Sequence, residues 1–423
     1  MINYKKTFTL KTVVKIFFIL FFLSFAYHKP ISNTIPFIKL SEFIFLFFLI
    51  IFFVLFFKKK IFFSFDKIDL IFLSYPLSLT INIYLSNFST NTILGFLSAF
   101  YLFLVYYISK NLIIQFKLKK KFFLKLITKL GILLLIISTY TIILKLNGLS
   151  TLTAGNIENY PFSFNIGFRT RGFMGSSSML AMFQIISVLS SLILYFNNKK
   201  KKYLLISLLI LLTLYFTLAK SVLLFISIFL LLIILNIDIK IKNLKNIFIF
   251  ISFLFFILHA FVTNFLIVGK NTNYLKGDYF TVIDAKPLIK IYDYQIIPSY
   301  YYFQKAKNFE IIKNNYLTGI GSYEFKNYKY KNFDYLNKFN PHSVFLGSIS
   351  ENGLINFFSL ILINLIIFRT CFKLKDKNFF LIFFYLFLES FNADILTFKI
   401  FWVIMAIILS EKCLIKDINE KNN

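Results

Sequence analysis

The chain has 423 residues, 58% of them hydrophobic and 21% aromatic, with 47 Lys and Arg against 18 Asp and Glu. That apolar content, gathered into repeated runs of membrane-spanning length, excludes a soluble globule and defines a polytopic integral membrane protein. The formal charge of +29 sits mostly in short Lys-rich loops that set topology beside anionic lipid headgroups, so it gives no reason to expect nucleic-acid binding.

Twelve spans are predicted, at 12–28, 36–57, 67–86, 91–110, 124–145, 174–196, 203–218, 221–237, 245–268, 343–368, 378–391 and 396–411. Each is close to the ~20 residues that cross ~30 Å of hydrocarbon. MINYKKTFTLK places cations ahead of the first run, but no small-residue cleavage site follows before Lys39, so that run is read as a retained helix. The connections alternate in charge. The Lys-rich pieces at 58–60, 110–125, 197–202, 237–245 and 369–377 fall with both termini on one side, read as cytoplasmic. HKPISNTIP, SNFSTNT, the 147–173 loop, the 269–342 segment and ESFNADI fall on the other. The 61 Phe and 25 Tyr are read as the coding habit of an AT-rich genome and are given no functional weight.

The expected fold class is all-α, a polytopic membrane helical bundle. Residues 1–268 hold helices one to nine, 269–342 an extracytoplasmic subdomain, and 343–423 the last three helices and a cytoplasmic tail. The 269–342 segment is too long for a passive connector and too rich in Tyr for a disordered one. It is expected to form a small helical cap, with a helix from Pro298 to about Asn314 and a turn at Gly319-Ile320-Gly321. Cys371 and Cys413 fall on the cytoplasmic side and are expected to be free thiols. CxxC, HExxH, P-loop and dinucleotide-binding patterns are absent, and neither a cofactor nor a metal ion is expected.

His342 is the one histidine placed where an external loop becomes a helix, with Ser343 as a reasonable N-cap. A helix N-terminus disfavours imidazolium, so a neutral His342 able to accept a hydroxyl proton is one reading; a plain capping role is the other. At 100° per residue Gly353 returns to nearly the same face, giving a smooth wall below the histidine, whereas Glu351 projects from the opposite side. Arginine occurs at only three positions, and Arg169 and Arg171 share one external loop. Retaining Arg against a strong Lys bias suits bidentate phosphate binding; snorkelling or a buried ion pair is the alternative. Lys220 lies between two short spans, and Lys305 and Lys307 lie on the predicted cap helix, where they offer either a positive field for a polyanion or a solvated face. Glu389, Asp394, Lys399, Glu42 and His259 are read first as interhelical pairing.

Together these residues resemble the bacterial O-antigen ligases and their relatives, the O-antigen polymerases and protein O-oligosaccharyltransferases. The carrying features are twelve spans, a long external segment after the ninth, and His342-Ser343 followed by Gly353. RTRGFMGSSSMLA is similar to the family's Arg-x-x-Gly-Phe stretch, LAKSVLL to its Ser-Arg-Gly segment with Lys220 in the Arg position, and YLTGIGSYEF to its Pro-Leu-x-Gly-x-Gly stretch. Asn356 stands where the family has Gly, Thr or Tyr. The resemblance implies a metal-independent, inverting glycosyl transfer at the periplasmic face of a bacterial inner membrane. The donor would be an undecaprenyl-diphosphate-linked glycan and the acceptor the lipid A core or a growing glycan. It also implies that His342 is catalytic, that Arg169, Arg171, Lys220, Lys305 and Lys307 hold the diphosphate, and that Ser343, Gly353, Gly319 and Gly321 shape the site. The His-Ser spacing favours a ligase over a polymerase. Readings of another kind are a lipid-linked oligosaccharide flippase and a non-catalytic scaffold of the envelope machinery.

Overall fold

The structure is a computed structural model of the chain, described over residues 4–28, 39–85, 89–148, 154–156, 168–237, 242–269, 287–330, 340–374 and 377–422. The elements are α1 (Tyr4–Ser24), α2 (Leu40–Phe57), α3 (Lys67–Leu85), α4 (Thr90–Gln115), α5 (Lys120–Leu146), β1 (Ala154–Asn156), β2 (Phe168–Thr170), α6 (Ser177–Asn198), α7 (Lys201–Tyr215), α8 (Ser221–Asn236) and α9 (Lys242–Asn264). They continue with β3 (Phe265–Gly269), β4 (Ile289–Ile291), β5 (Tyr294–Pro298), α10 (Tyr300–Asn315), α11 (Val344–Leu374), α12 (Lys377–Glu389) and α13 (Lys399–Asn422). A helix occupies each of the twelve expected spans. Among the described residues α2 to α6, α9 and α11 are long and apolar enough to cross a membrane, and α8 and α12 are shorter apolar helices. The protein is a helical membrane bundle.

The chain divides into two compact units, Met1–Phe63 with Leu112–Phe256, and Ser64–Asn111 with Ile257–Asn423. In the first unit α6 is the enclosed helix, buried almost without interruption from Met179 to Leu194. Gln184, buried in this helix, donates to Ser138 Oγ at 3.2 Å and Thr213 Oγ1 at 3.0 Å, tying α6 to α5 and α7. Gly131 lets α5 approach closely, since a Cβ there would lie 2.4 Å from the Cβ of Ser187. Phenylalanine fills α1 and α2, with Phe17 edge-on to Phe52 at 5.3 Å. The outer faces of α2 and α9 stay apolar, with Ile50 65% and Phe250 67% exposed, as lipid contact requires.

The second unit is built around α11 packed on α3. Asn356 donates to Ser78 Oγ at 2.7 Å and to the Tyr75 carbonyl at 3.2 Å, and accepts from Ser348 Oγ at 2.6 Å. Asn356 is thus a buried interhelical tie. At the other end of α3, Lys110 of α4 meets Asp69 at 2.7 Å and Asp66 at 2.8 Å, with the Tyr106 hydroxyl donating to Asp69 at 2.9 Å. Tyr106 stacks on Phe72 at 3.9 Å, and Phe72 meets Trp402 edge-on at 6.2 Å.

The segment expected as a helical cap does carry its helix, α10, and it also carries a three-stranded antiparallel sheet in the order β3-β5-β4. The span predicted to reach 268 ends at Asn264, because Phe265–Gly269 leave the helix to pair with Tyr294–Pro298. A tight turn with Tyr292 at φ 50° closes the β4–β5 hairpin, and Leu266 with Ile297 buries its inner face. Most of the expected HKPISNTIP loop, residues 149–153, 157–167, 270–286 and 331–339, and positions 375–376 lie outside the described residues. Cys371 is a buried free thiol.

Removing one partner of a buried ion cluster leaves an uncompensated charge, which costs about 3–5 kcal/mol. Lys110→Met is therefore expected to lower the stability of the purified protein by that amount. Lys110→Met with Asp69→Asn should recover part of the loss, as read from reversible unfolding in mixed detergent.

Candidate functional site

In the second unit the site is assembled by two backbone irregularities that fit each other. After α10 the chain runs through Leu317 to Gly321, with Gly319 at φ 70° and Gly321 at φ 104°. Opposite it, α11 is interrupted at Gly353, whose φ of 79° and ψ of −178° lie in a region essentially confined to glycine. A regular helix would bond the Ser350 and Glu351 carbonyls to N–H groups one turn onward. Here Ile320 N–H donates to the Ser350 carbonyl at 2.9 Å, Gly321 N–H to the Glu351 carbonyl at 2.8 Å, and Leu354 N–H to the Leu317 carbonyl at 3.2 Å. The fit leaves no room for side chains: a Cβ on Gly353 would lie 2.2 Å from the Leu317 oxygen, and one on Gly319 2.3 Å from the Glu351 oxygen. The turn expected at Gly319–Gly321 is present. The smooth wall expected at Gly353 is not, because the helix is broken there and the glycine is covered by backbone.

Ser343 caps α11, accepting from Leu346 N–H at 3.4 Å, and Val344 N–H donates to the Ser390 carbonyl at 2.8 Å. His342 precedes the cap and is half-buried. Its ring packs edge-on against Tyr301 at 5.1 Å and Tyr300 at 5.6 Å. Burial pulls the imidazole down to about 4, so His342 is neutral at pH 7, as expected, with burial as the dominant cause. Its neighbours Pro341 and Ser343 line an open cavity to which His342 does not contribute.

That cavity contains residues given little weight in the sequence. Glu351, placed on the opposite side by simple helical geometry, lines it together with Asp394, Ser348, Tyr75 and Tyr323. Glu351 accepts from Phe325 N–H at 3.2 Å, and Asn352 accepts from Ser322 Oγ at 2.6 Å. Burial raises the Asp394 carboxyl to about 6. Tyr323 has φ 63°, rare for a bulky residue, and burial raises its phenol while a hydrogen bond from Ser98 acts the other way. The signal available in the sequence was a polar stripe, Ser343, Gly347, Ser348, Glu351 and Asn352, recurring every three or four residues on an otherwise apolar helix.

Lys307 turns inward, fully buried, with Nζ 4.5 Å from the Phe325 ring centre. Burial lowers it to about 8 against the opposing pull of the Glu351 charge. Lys305 donates to Asn392 Oδ1 at 2.8 Å and is lowered by burial. Asn392 also meets His259 Nε2 at 3.3 Å, and His259 Nε2 lies 4.0 Å from Glu389 Oε2.

The first unit holds the other cations. Arg169 sits in β2 opposite Gly155, and Thr170 N–H donates to the Phe216 carbonyl at 2.8 Å, which fastens β2 to the end of α7. The chain then bends through Leu218, at φ 48°, and enters α8 at Lys220. Burial, followed by the charge of Arg169, lowers Lys220 to about 8. Two cations separated in sequence are thereby brought within reach of one another. Arg171 follows in a turn closed by Met174 N–H on its carbonyl at 3.0 Å, with Gly172 at φ 54°. Ser176 caps α6, accepting from Met179 N–H at 3.1 Å. Of the chain's 18 acids, only Glu42, Glu158 and Asp238 belong to this unit.

The sequence matches no family model and no curated protein.

Gly353→Ala is expected to cost more than Gly148→Ala. Gly148 also has positive φ, 74°, but has nothing within 4 Å of the added Cβ, so it bears only the backbone strain of about 1–2 kcal/mol. Thermal unfolding in detergent checks the difference. Equal losses would mean that the interlock contributes nothing beyond strain.

Proposed function

We propose that this chain is a membrane glycosyltransferase that moves a glycan from undecaprenyl diphosphate to an acceptor hydroxyl at the periplasmic face of a bacterial inner membrane, acting as an O-antigen ligase with the lipid A core as acceptor. The observation that carries the reading is the placing of Arg169 and Lys220 in one unit, where burial and then the Arg169 charge lower Lys220 to about 8. Like charges are costly to gather, and a dianionic leaving group repays that cost. The resemblance of RTRGFMGSSS and of His342-Ser343 to the ligase family adds to it.

In the reaction the acceptor oxygen attacks the anomeric carbon and the bond from that carbon to the diphosphate oxygen breaks, inverting the centre. The diphosphate leaves as an anion with the carrier lipid, stabilised by Arg169, Arg171 and Lys220. The acceptor proton passes to a ring nitrogen of His342, which burial holds neutral. Lys305 and Lys307 are engaged with Asn392 and Phe325, so in this reading they position the cap helix and the diphosphate rests on the other three cations.

A strain lacking the gene should accumulate long lipid-linked chains behind bare core, resolved by gel for the lipid A and carrier-lipid fractions. Single repeats in those fractions would instead identify a polymerase, and a normal ladder in both would reject glycosyl transfer in favour of a flippase or scaffold. In vitro, Arg171→Ala should lower transfer about 100-fold, the scale of losing one preorganised oxyanion contact. Lys220 carries its charge below about pH 8, so kcat/KM should fall as pH rises through that value. Lys220→Arg should extend activity to higher pH, because guanidinium stays charged.

A further inference from the structure

The cavity of the second unit is not used by the chemistry assigned to His342 and the three cations. Its walls come from α3, α4, α11, the Gly321–Tyr323 turn and the loop before α13, and it is open to solvent. Its lining includes two acidic side chains, Glu351 and Asp394, and no Lys, Arg or His. Ser348, Tyr323, Asn352 and Tyr75 line it as well. Carboxylates accept paired hydroxyl donors, amides and hydroxyls do both, and an aromatic ring offers an apolar floor. We propose that this cavity binds one neutral, hydroxyl-rich sugar ring of the acceptor and excludes acidic sugars.

The assignment of the ring to the acceptor rests on the transferase reading; the charge selection rests on the lining alone. Asp394, raised to about 6, remains mostly ionised at pH 7, and a ligand carboxylate placed beside it would meet repulsion with no cation in the wall to offset it. The fixed position of Glu351 and Asn352 follows from the interlock at Gly353, which makes the site preformed.

The protein carries its own reporter. Trp402 is the chain's one tryptophan; its ring lies 5.7 Å from that of Tyr75, and its Nε1–H donates to the carbonyl of the cavity residue Leu396 at 2.8 Å. Full-length protein in nanodiscs, titrated with methyl glucoside at pH 7.5, should show a saturable change in Trp402 fluorescence with millimolar half-saturation, and glucuronic acid should show none. Asp394→Asn should weaken methyl glucoside about tenfold, the effect of losing one charged hydrogen-bond acceptor, and should admit glucuronic acid. Glu351→Gln, which keeps an oxygen for Phe325 N–H, serves as the second variant and should weaken methyl glucoside without admitting glucuronic acid. An equal response to both sugars in the unaltered protein, or no saturable response to either, would overturn the proposal. Sugar binding without glycosyl transfer would leave this inference standing and remove the transferase reading, whereas transfer without sugar binding would do the reverse.

Discussion

A helix in a bilayer cannot be opened unless other groups take up the hydrogen bonds it releases, because hydrocarbon offers none. The second unit is organised around one such opening. At Gly353 the ladder of α11 is interrupted, and the backbone of residues 317–321 supplies the missing donors and acceptor. Both partners need glycine for the same two reasons, a positive φ and the lack of a Cβ at the contact. The break sets the course of the first turns of α11, and with it the placement of Glu351, Asn352 and the Ser343 cap. Asn356 then holds the two halves of the helix together by bonding to Ser348 on one side and to α3 on the other.

The two units differ in the charge they enclose. The first holds Arg169 and Lys220; the second turns acidic side chains toward a cavity, with Lys305 on Asn392, Lys307 beside Phe325 and Lys110 on Asp69. Separate preferences follow from the same chemistry. A cationic bend favours phosphate, and a carboxylate-lined hollow favours hydroxyls. His342 belongs to neither pattern: its ring is covered by Tyr300 and Tyr301, which deprives it of charge and leaves a base of low proton affinity.

The helices were legible because each is an apolar run closed by Lys, Gly or a polar turn, and hydropathy reads such runs well. The cap helix, the Gly319–Gly321 turn and the Ser343 cap were legible for local reasons too, since a cap or a positive φ is written in one or two residues. The break at Gly353 was not, because a glycine in a helical run has the same appearance whether it lines a wall or interrupts the ladder; only the remote Leu317 carbonyl distinguishes the two. Glu351, read as projecting away from His342, does line a cavity that His342 does not reach. The β4–β5 hairpin did leave a trace in the alternation of IKIYDYQII, masked by its place among helices. Tyr75 and Tyr323 were lost in a chain where aromatic residues are common enough to hide the few that line a cavity.

The ion cluster at Lys110 bears on how the chain enters the membrane. Asp69 and Lys110 lie near the ends of α3 and α4, where a charge costs less than the ~3 kcal/mol of one at a helix centre, but both are buried, so each helix carries a charge that needs its partner. As a hairpin they present a neutralised pair, already joined at 2.7 Å in the finished fold, and the short connection between them permits it. The second unit therefore begins its biogenesis with the joint partition of α3 and α4, well before synthesis reaches the helices that later pack around them.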